Sequence, residues 1–87
     1  MLRSMWQANP DVLVTDLDGE LVLMHPGRSE MFSLNASGRL IWQALPQTAQ
    51  ALAELLAARY GLPPEQAGAD VTAVLGALHG RDLARPV

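Results

Sequence analysis

The sequence predicts an α+β domain in which a three-stranded antiparallel sheet is followed by three helices. Three observations predict it. Apolar residues alternate at strand spacing between residues 12 and 34, an Asp-Gly pair interrupts that stretch at 18–19, and after Asn35 the spacing becomes helical, punctuated by prolines. The 87 residues make a single domain spanning 1–87; a chain of this length buries roughly 60–65% of its unfolded surface and supports one modest core.

The elements follow in order. Val12, Val14 and Leu17 begin a strand pattern that Leu21, Val22, Leu23 and Met24 resume. Asp18-Gly19 between them is a hairpin signal, because both residues tolerate the positive φ of a type I′ turn. His25-Pro26-Gly27-Arg28 is a second turn, with Pro26 setting φ and Gly27 free to take the left-handed conformation. A third strand, Glu30 to Leu34, puts Met31 and Ser33 on one face and Phe32 and Leu34 on the other. Asn35 can cap a first helix over Ala36–Leu45, with Leu40, Ile41 and Leu45 on one side and Pro46 ending it. Thr48 can cap a second, where Leu52, Leu55, Leu56 and Tyr60 recur before Gly61 closes it. Pro63 and Pro64 open a third that runs toward Leu83, with Ala67, Val71, Val74, Leu75 and Leu78 as its apolar stripe. Gly68, Gly76 and Gly80 each cost this helix about 1 kcal/mol relative to Ala, so packing must hold it.

Composition narrows the function. Hydrophobic residues make up 49% and charged residues 17%, an ordinary globular balance. The bulky aromatics are Trp6, Phe32, Trp42 and Tyr60, so the core is built chiefly from Leu, Val and Ala. Net charge is −3 and every basic residue is arginine, a poor match to a nucleic-acid backbone. The absence of cysteine excludes disulfides and thiol chemistry, and His25 and His79 are too few for a histidine-rich metal site. No signal-peptide core is present and no stretch approaches the ~20 apolar residues of a membrane span, so a cytoplasmic protein is expected. No phosphate-cradling glycine loop and no catalytic constellation stands out, and no cofactor is expected. Asn35-Ala36-Ser37 fits a glycosylation sequon but reads more simply as the helix cap, while Glu65 and Arg81 suit the dipole of the third helix.

One motif invites a catalytic reading. Val12-Leu-Val-Thr-Asp-Leu-Asp-Gly-Glu20 resembles the nucleophile motif of haloacid-dehalogenase-type phosphotransferases, with Asp16 as nucleophile and Asp18 as acid/base. Glu20 stands where that family has a phosphate-holding threonine, there is no lysine, and the fold needs long parallel crossovers that this chain is too short to supply. The hairpin turn is the better reading, and the chain is expected to be no enzyme.

A second resemblance covers nearly the whole chain, from about Val12 to Leu83. The runs Asp18-Gly-Glu-Leu-Val-Leu-Met24, Met31-Phe-Ser-Leu-Asn-Ala-Ser-Gly-Arg-Leu-Ile-Trp42 and Tyr60-Gly-Leu-Pro-Pro-Glu-Gln-Ala-Gly-Ala-Asp70-Val71 resemble the PqqD family. These are the recognition elements of pathways that modify ribosomally made peptides. The resemblance implies a winged-helix-like domain whose third strand is an exposed edge. The leader of a precursor peptide would add to that edge as a fourth strand, against the third helix, for presentation to a leader peptidase or another modifying enzyme. Carried onto this sequence, the pairing strand is Met31, Phe32, Ser33 and Leu34, and the groove wall is Asp70, Val71, Val74 and Leu78. Met31, Ser33, Asp70 and Val74 are the stronger candidates for direct contact, since Phe32 and Leu34 also suit the core. Met31 replaces the family's usual aromatic, which implies a softer groove wall. Asp82 replaces the glycine that usually ends the last helix, which implies a frayed end. Two pathway homes fit the resemblance: the leader-binding half of a split lasso-peptide protease, favoured by the Tyr60–Glu65 segment, and a chaperone for a radical SAM enzyme. A winged-helix DNA-binding protein is the alternative of another class, but its third helix would oppose Arg81 with Glu65, Asp70 and Asp82.

Overall fold

The computed structural model describes residues 4–87. Strands β1 (Met5–Ala8), β2 (Leu13–Leu17), β3 (Glu20–His25) and β4 (Glu30–Leu34) precede helix α1 (Ala36–Ala44). Strand β5 (Gln47–Thr48), helices α2 (Ala49–Tyr60) and α3 (Pro64–Gly80), and strand β6 (Ala84–Pro86) complete the order. The main sheet is the expected antiparallel meander β2-β3-β4, in register Val14↔Leu23 across the first pair and Leu23↔Phe32 across the second. Its pairings are all antiparallel, so the parallel core of a phosphotransferase is not built here.

The turns close as their residues dictate, with one exception. Asp18 and Gly19 take φ of 53° and 90°, the positive pair that a two-residue I′ hairpin demands. In the second turn the left-handed residue is Ser29, at φ 53°, and not Gly27. The loop spans four residues between paired His25 and Glu30, and both Arg28 and Ser29 donate backbone N–H to the His25 carbonyl. The helical turn therefore places its left-handed exit at the last loop position.

Helix ends follow the caps. Asn35 accepts from the Gly38 N–H at 3.0 Å and Thr48 from the Ala51 N–H at 3.1 Å. Gly61 closes α2 in the left-handed region. The stripe of α2 is narrower than its leucine spacing suggests, since Leu52 and Leu56 are buried while Leu55 and Tyr60 are exposed. Helix α3 stops at Gly80 and does not reach Leu83. Its end is also fixed and does not fray. Asp82 adopts φ 58°, its N–H bonds the His79 carbonyl at 3.1 Å, and the Leu83 N–H bonds the Leu78 carbonyl at 2.8 Å. That is the paired bond pattern of a Schellman cap. The Asp82 side chain meets His25 Nε2 at 3.0 Å, and the Asn9 amide donates to the Asp82 carbonyl at 3.0 Å.

Next to these ties lies a second sheet that sequence patterning did not reveal, in the order β5-β1-β6. It clasps the two chain ends, pairing Trp6 with Gln47 on one side and with Pro86 on the other. The core has two lobes. Leu21, Leu23 and Leu34 of the main sheet meet Leu78, Leu83 and Ala84, and Ile41 of α1 meets Leu52, Leu56, Ala67, Val71 and Leu75. Trp6, Leu45 and Val74 pack against both lobes and join them.

Candidate functional site

Strand β4 is an edge. It pairs with β3 on one side only, and among the described residues no backbone pairs with its other side. Alternate residues of an edge strand present unpaired N–H and C=O groups, a template for another extended chain. Beside this edge runs an open groove of about 340 Å³. Phe32, Ser33 and Leu34 form its β4 side, Ala73, Val74 and Ala77 of α3 face them, and Glu20, Asn35 and Gly38 close one end.

Local chemistry sets the groove's width. A Cβ at Gly38 would stand 3.0 Å from Leu34 Cδ2 and 3.3 Å from Leu34 Cβ, so any larger residue there would press on the buried Leu34 side chain. On α3, the small side chains Ala73 and Ala77 leave open space above the half-buried Val74.

The structure sorts the expected site residues into four groups. Phe32, Ser33, Leu34 and Val74 border the groove. Val71 and Leu78 are core residues, 1% and 0% exposed, and support the wall from behind. Met31 lies on the outward face of the sheet, where it pairs with Met24 in a row that continues to Leu13; it is 64% exposed. Ser33 shares that outward parity and reaches the groove at its rim. Asp70 lines a neighbouring cavity of about 370 Å³ with Leu56, Tyr60 and Leu62; Asn35 borders both cavities. The residues that sequence reasoning missed, Glu20, Gly38, Ala73 and Ala77, are small or sit at a turn, and a hydrophobic stripe does not mark them.

Electrostatics around the site are modest. Asp16 is ion-paired with Arg39 at 2.8 Å; the hydrogen bond from that guanidinium is the main cause holding its carboxyl below the ordinary range. Asp18 sits in the turn, so the two carboxylates of the phosphotransferase-like motif are spent on structure. Asp82 is likewise held below the ordinary carboxylate range, first by its hydrogen bond from His25. The ring of His25 is used at both nitrogens, since Nδ1 accepts from the Gly27 N–H at 3.0 Å. Trp6 and His79 meet edge to face at 5.9 Å. Among the described residues no group of three or more His, Asp or Glu could hold a metal ion, and no helix is long and apolar enough to cross a membrane.

Comparison with known proteins decides the family. The model of the family Coenzyme PQQ synthesis protein D (PqqD) matches residues 20–84. The chain belongs to the PqqD family. Its fold is that of the PqqD-like recognition elements. The structure of TbiB1 in complex with the TbiA(beta) leader peptide is 25% identical, with a TM-score of 0.84 over 91% of this chain and 94% of that one. Lasso peptide synthetase B1 complexed with its leader peptide is also 25% identical, with a TM-score of 0.82 over 93% of this chain and 98% of that one. The PqqD truncation of Methylobacterium extorquens PqqCD, described as a functional and stand-alone recognition element, shares the fold at 18% identity and TM-score 0.75, over 93% and 88% of the two chains. No curated protein matches significantly.

Proposed function

We propose that this PqqD-family domain binds the leader segment of a ribosomally made precursor peptide as a fourth strand on β4, packed against α3, and presents it to a processing enzyme. The observation that carries the reading is the unpaired β4 edge lying beside an apolar groove. Backbone pairing along β4 supplies affinity that tolerates sequence, and the groove between Phe32 and Val74 supplies a pocket for alternate side chains. Peptide contacts fall first on Phe32, Ser33, Leu34 and Val74; Met31 and Asp70 meet the peptide from the outer face and the adjoining cavity, and Val71 and Leu78 act through packing.

The enzyme served is a lasso-peptide leader peptidase. Two leader-bound B1 proteins resemble this chain more in sequence and fold than the PqqD-derived domain does, which favours this partner over a radical SAM enzyme. The domain itself performs no catalysis in this scheme. Fluorescence polarisation with a panel of labelled lasso-precursor leaders tests the reading: one or more binds the wild-type chain, and Val74→Glu abolishes that binding, with circular dichroism reporting how much of the variant is folded. Undiminished binding by a folded Val74→Glu variant refutes the groove assignment.

A further inference from the structure

Arg81 stands just beyond the apolar groove, and helix energetics alone do not explain where its side chain lies. As the C-cap residue of α3 it complements the helix dipole, but a guanidinium anywhere near the last turn would do so. Instead its Cζ sits 4.6 Å from the centroid of the Phe32 ring, which itself lines the groove. Ala73 and Ala77 on the opposite wall stand at four-residue intervals from Arg81, positions that share one helix face. The groove therefore runs into a cation at this end. With the cation held over the ring face, its N–H fork remains available for a carboxylate. Among the described residues, Arg81 makes no ion pair and donates no side-chain hydrogen bond. Of the charged groups near this helix end, Asp82 holds His25 and Arg28 donates to the Gly80 carbonyl at 3.3 Å. At the far end the groove is bordered by Glu20.

We propose that Arg81 is a specificity determinant that pairs with an aspartate or glutamate of the bound peptide at the Phe32 end of the groove. Glu20 disfavours a second acidic residue at the other end, so the one carboxylate also sets which way the guest strand lies. The inference rests on the leader-binding reading, and the test separates the two. A phage-displayed library of random ten-residue peptides is selected on the full chain and on Arg81→Glu. Wild-type selections are expected to enrich Asp or Glu at one position and Arg81→Glu selections Lys or Arg there. A labelled wild-type-selected peptide binds Arg81→Glu about tenfold more weakly, and its own Asp→Asn version binds both proteins alike. If selected peptides lose binding to Ala77→Glu, and so occupy the groove, yet show no acidic enrichment and bind Arg81→Glu unchanged, the role of Arg81 is overturned while leader binding stands. If no peptide is selected, or the selected peptides ignore Ala77→Glu, the groove reading fails and takes this inference with it.

Discussion

Replacing Ala77 with glutamate places a carboxylate in the groove at little cost to the fold. Ala77 is exposed on the free protein and faces Phe32 and Leu34 across the open space beside β4. It belongs to neither lobe of the core, and glutamate is nearly as good a helix former as alanine. The unliganded variant should therefore keep its helicity and its denaturation midpoint. A guest strand on β4 would cover this position. The new carboxylate would then lose its water against Phe32, Leu34 and Val74, and the cation one turn on, Arg81, is the one assigned to the peptide's own acidic residue. Burying that charge without a partner costs about 3 kcal/mol or more, and pairing it with Arg81 instead takes that partner from the peptide, so the loss in affinity is roughly tenfold to a hundredfold. Fluorescence polarisation with a leader that binds the wild type measures that loss, and urea denaturation verifies the fold. Val74→Glu places the same charge deeper, but Val74 also joins the two core lobes, so that variant mixes binding with stability. If Ala77→Glu binds within threefold or so of the wild type, the peptide does not occupy this groove and the reasoning is refuted.

Further outcomes follow from single residues. Gly38→Ala should destabilise the domain by about 1–3 kcal/mol, because the new Cβ meets the buried Leu34 at 3.0 Å; a gain in the urea midpoint, as expected for Gly→Ala in an open helix, would contradict the close approach. Asp82→Asn keeps a residue that accepts the left-handed cap and removes the charge. Because Asp82 is held below its unfolded value of about 3.9, chiefly by the His25 hydrogen bond, its contribution is present above that value and fades as pH falls through the lower folded one. The variant should lose less stability than the wild type between about pH 5 and pH 2, and parallel urea profiles would count against the latch. Asp16→Ala breaks the exposed pair with Arg39 and should leave leader binding unchanged; a magnesium-dependent phosphatase activity that this substitution abolishes would revive the discarded motif.

Much of this architecture was legible in the chain because short-range chemistry dictates it. Asp18-Gly19, Asn35, Thr48 and Gly61 each solve a local backbone problem, and each stands where its residue type foretells. The second sheet was not legible. Strands β1, β5 and β6 are short, and β5 and β6 span two and three residues; their pairing joins chain ends and leaves no periodicity to read. The end of α3 was misjudged because aspartate at φ 58° looks unfavourable alone, whereas His25, Asn9 and the two backbone bonds hold it from parts of the chain distant in sequence. At the site, Phe32, Leu34 and Val74 were found through their apolar character. Gly38, Ala73 and Ala77 were missed because a groove is made by what its side chains omit. The stacking of Arg81 on Phe32 needs the fold to bring residues 32 and 81 together.

Among the described residues the main sheet has two unpaired edges, β2 and β4, and leader binding on β4 distinguishes them. Residue-resolved amide hydrogen exchange, with and without a bound leader, tests it most directly. Strand pairing on β4 predicts new protection at alternate amides within Met31–Leu34 and unchanged exchange along Leu13–Leu17. Protection appearing on Leu13–Leu17 instead, with Met31–Leu34 exchanging as freely as before, would contradict it.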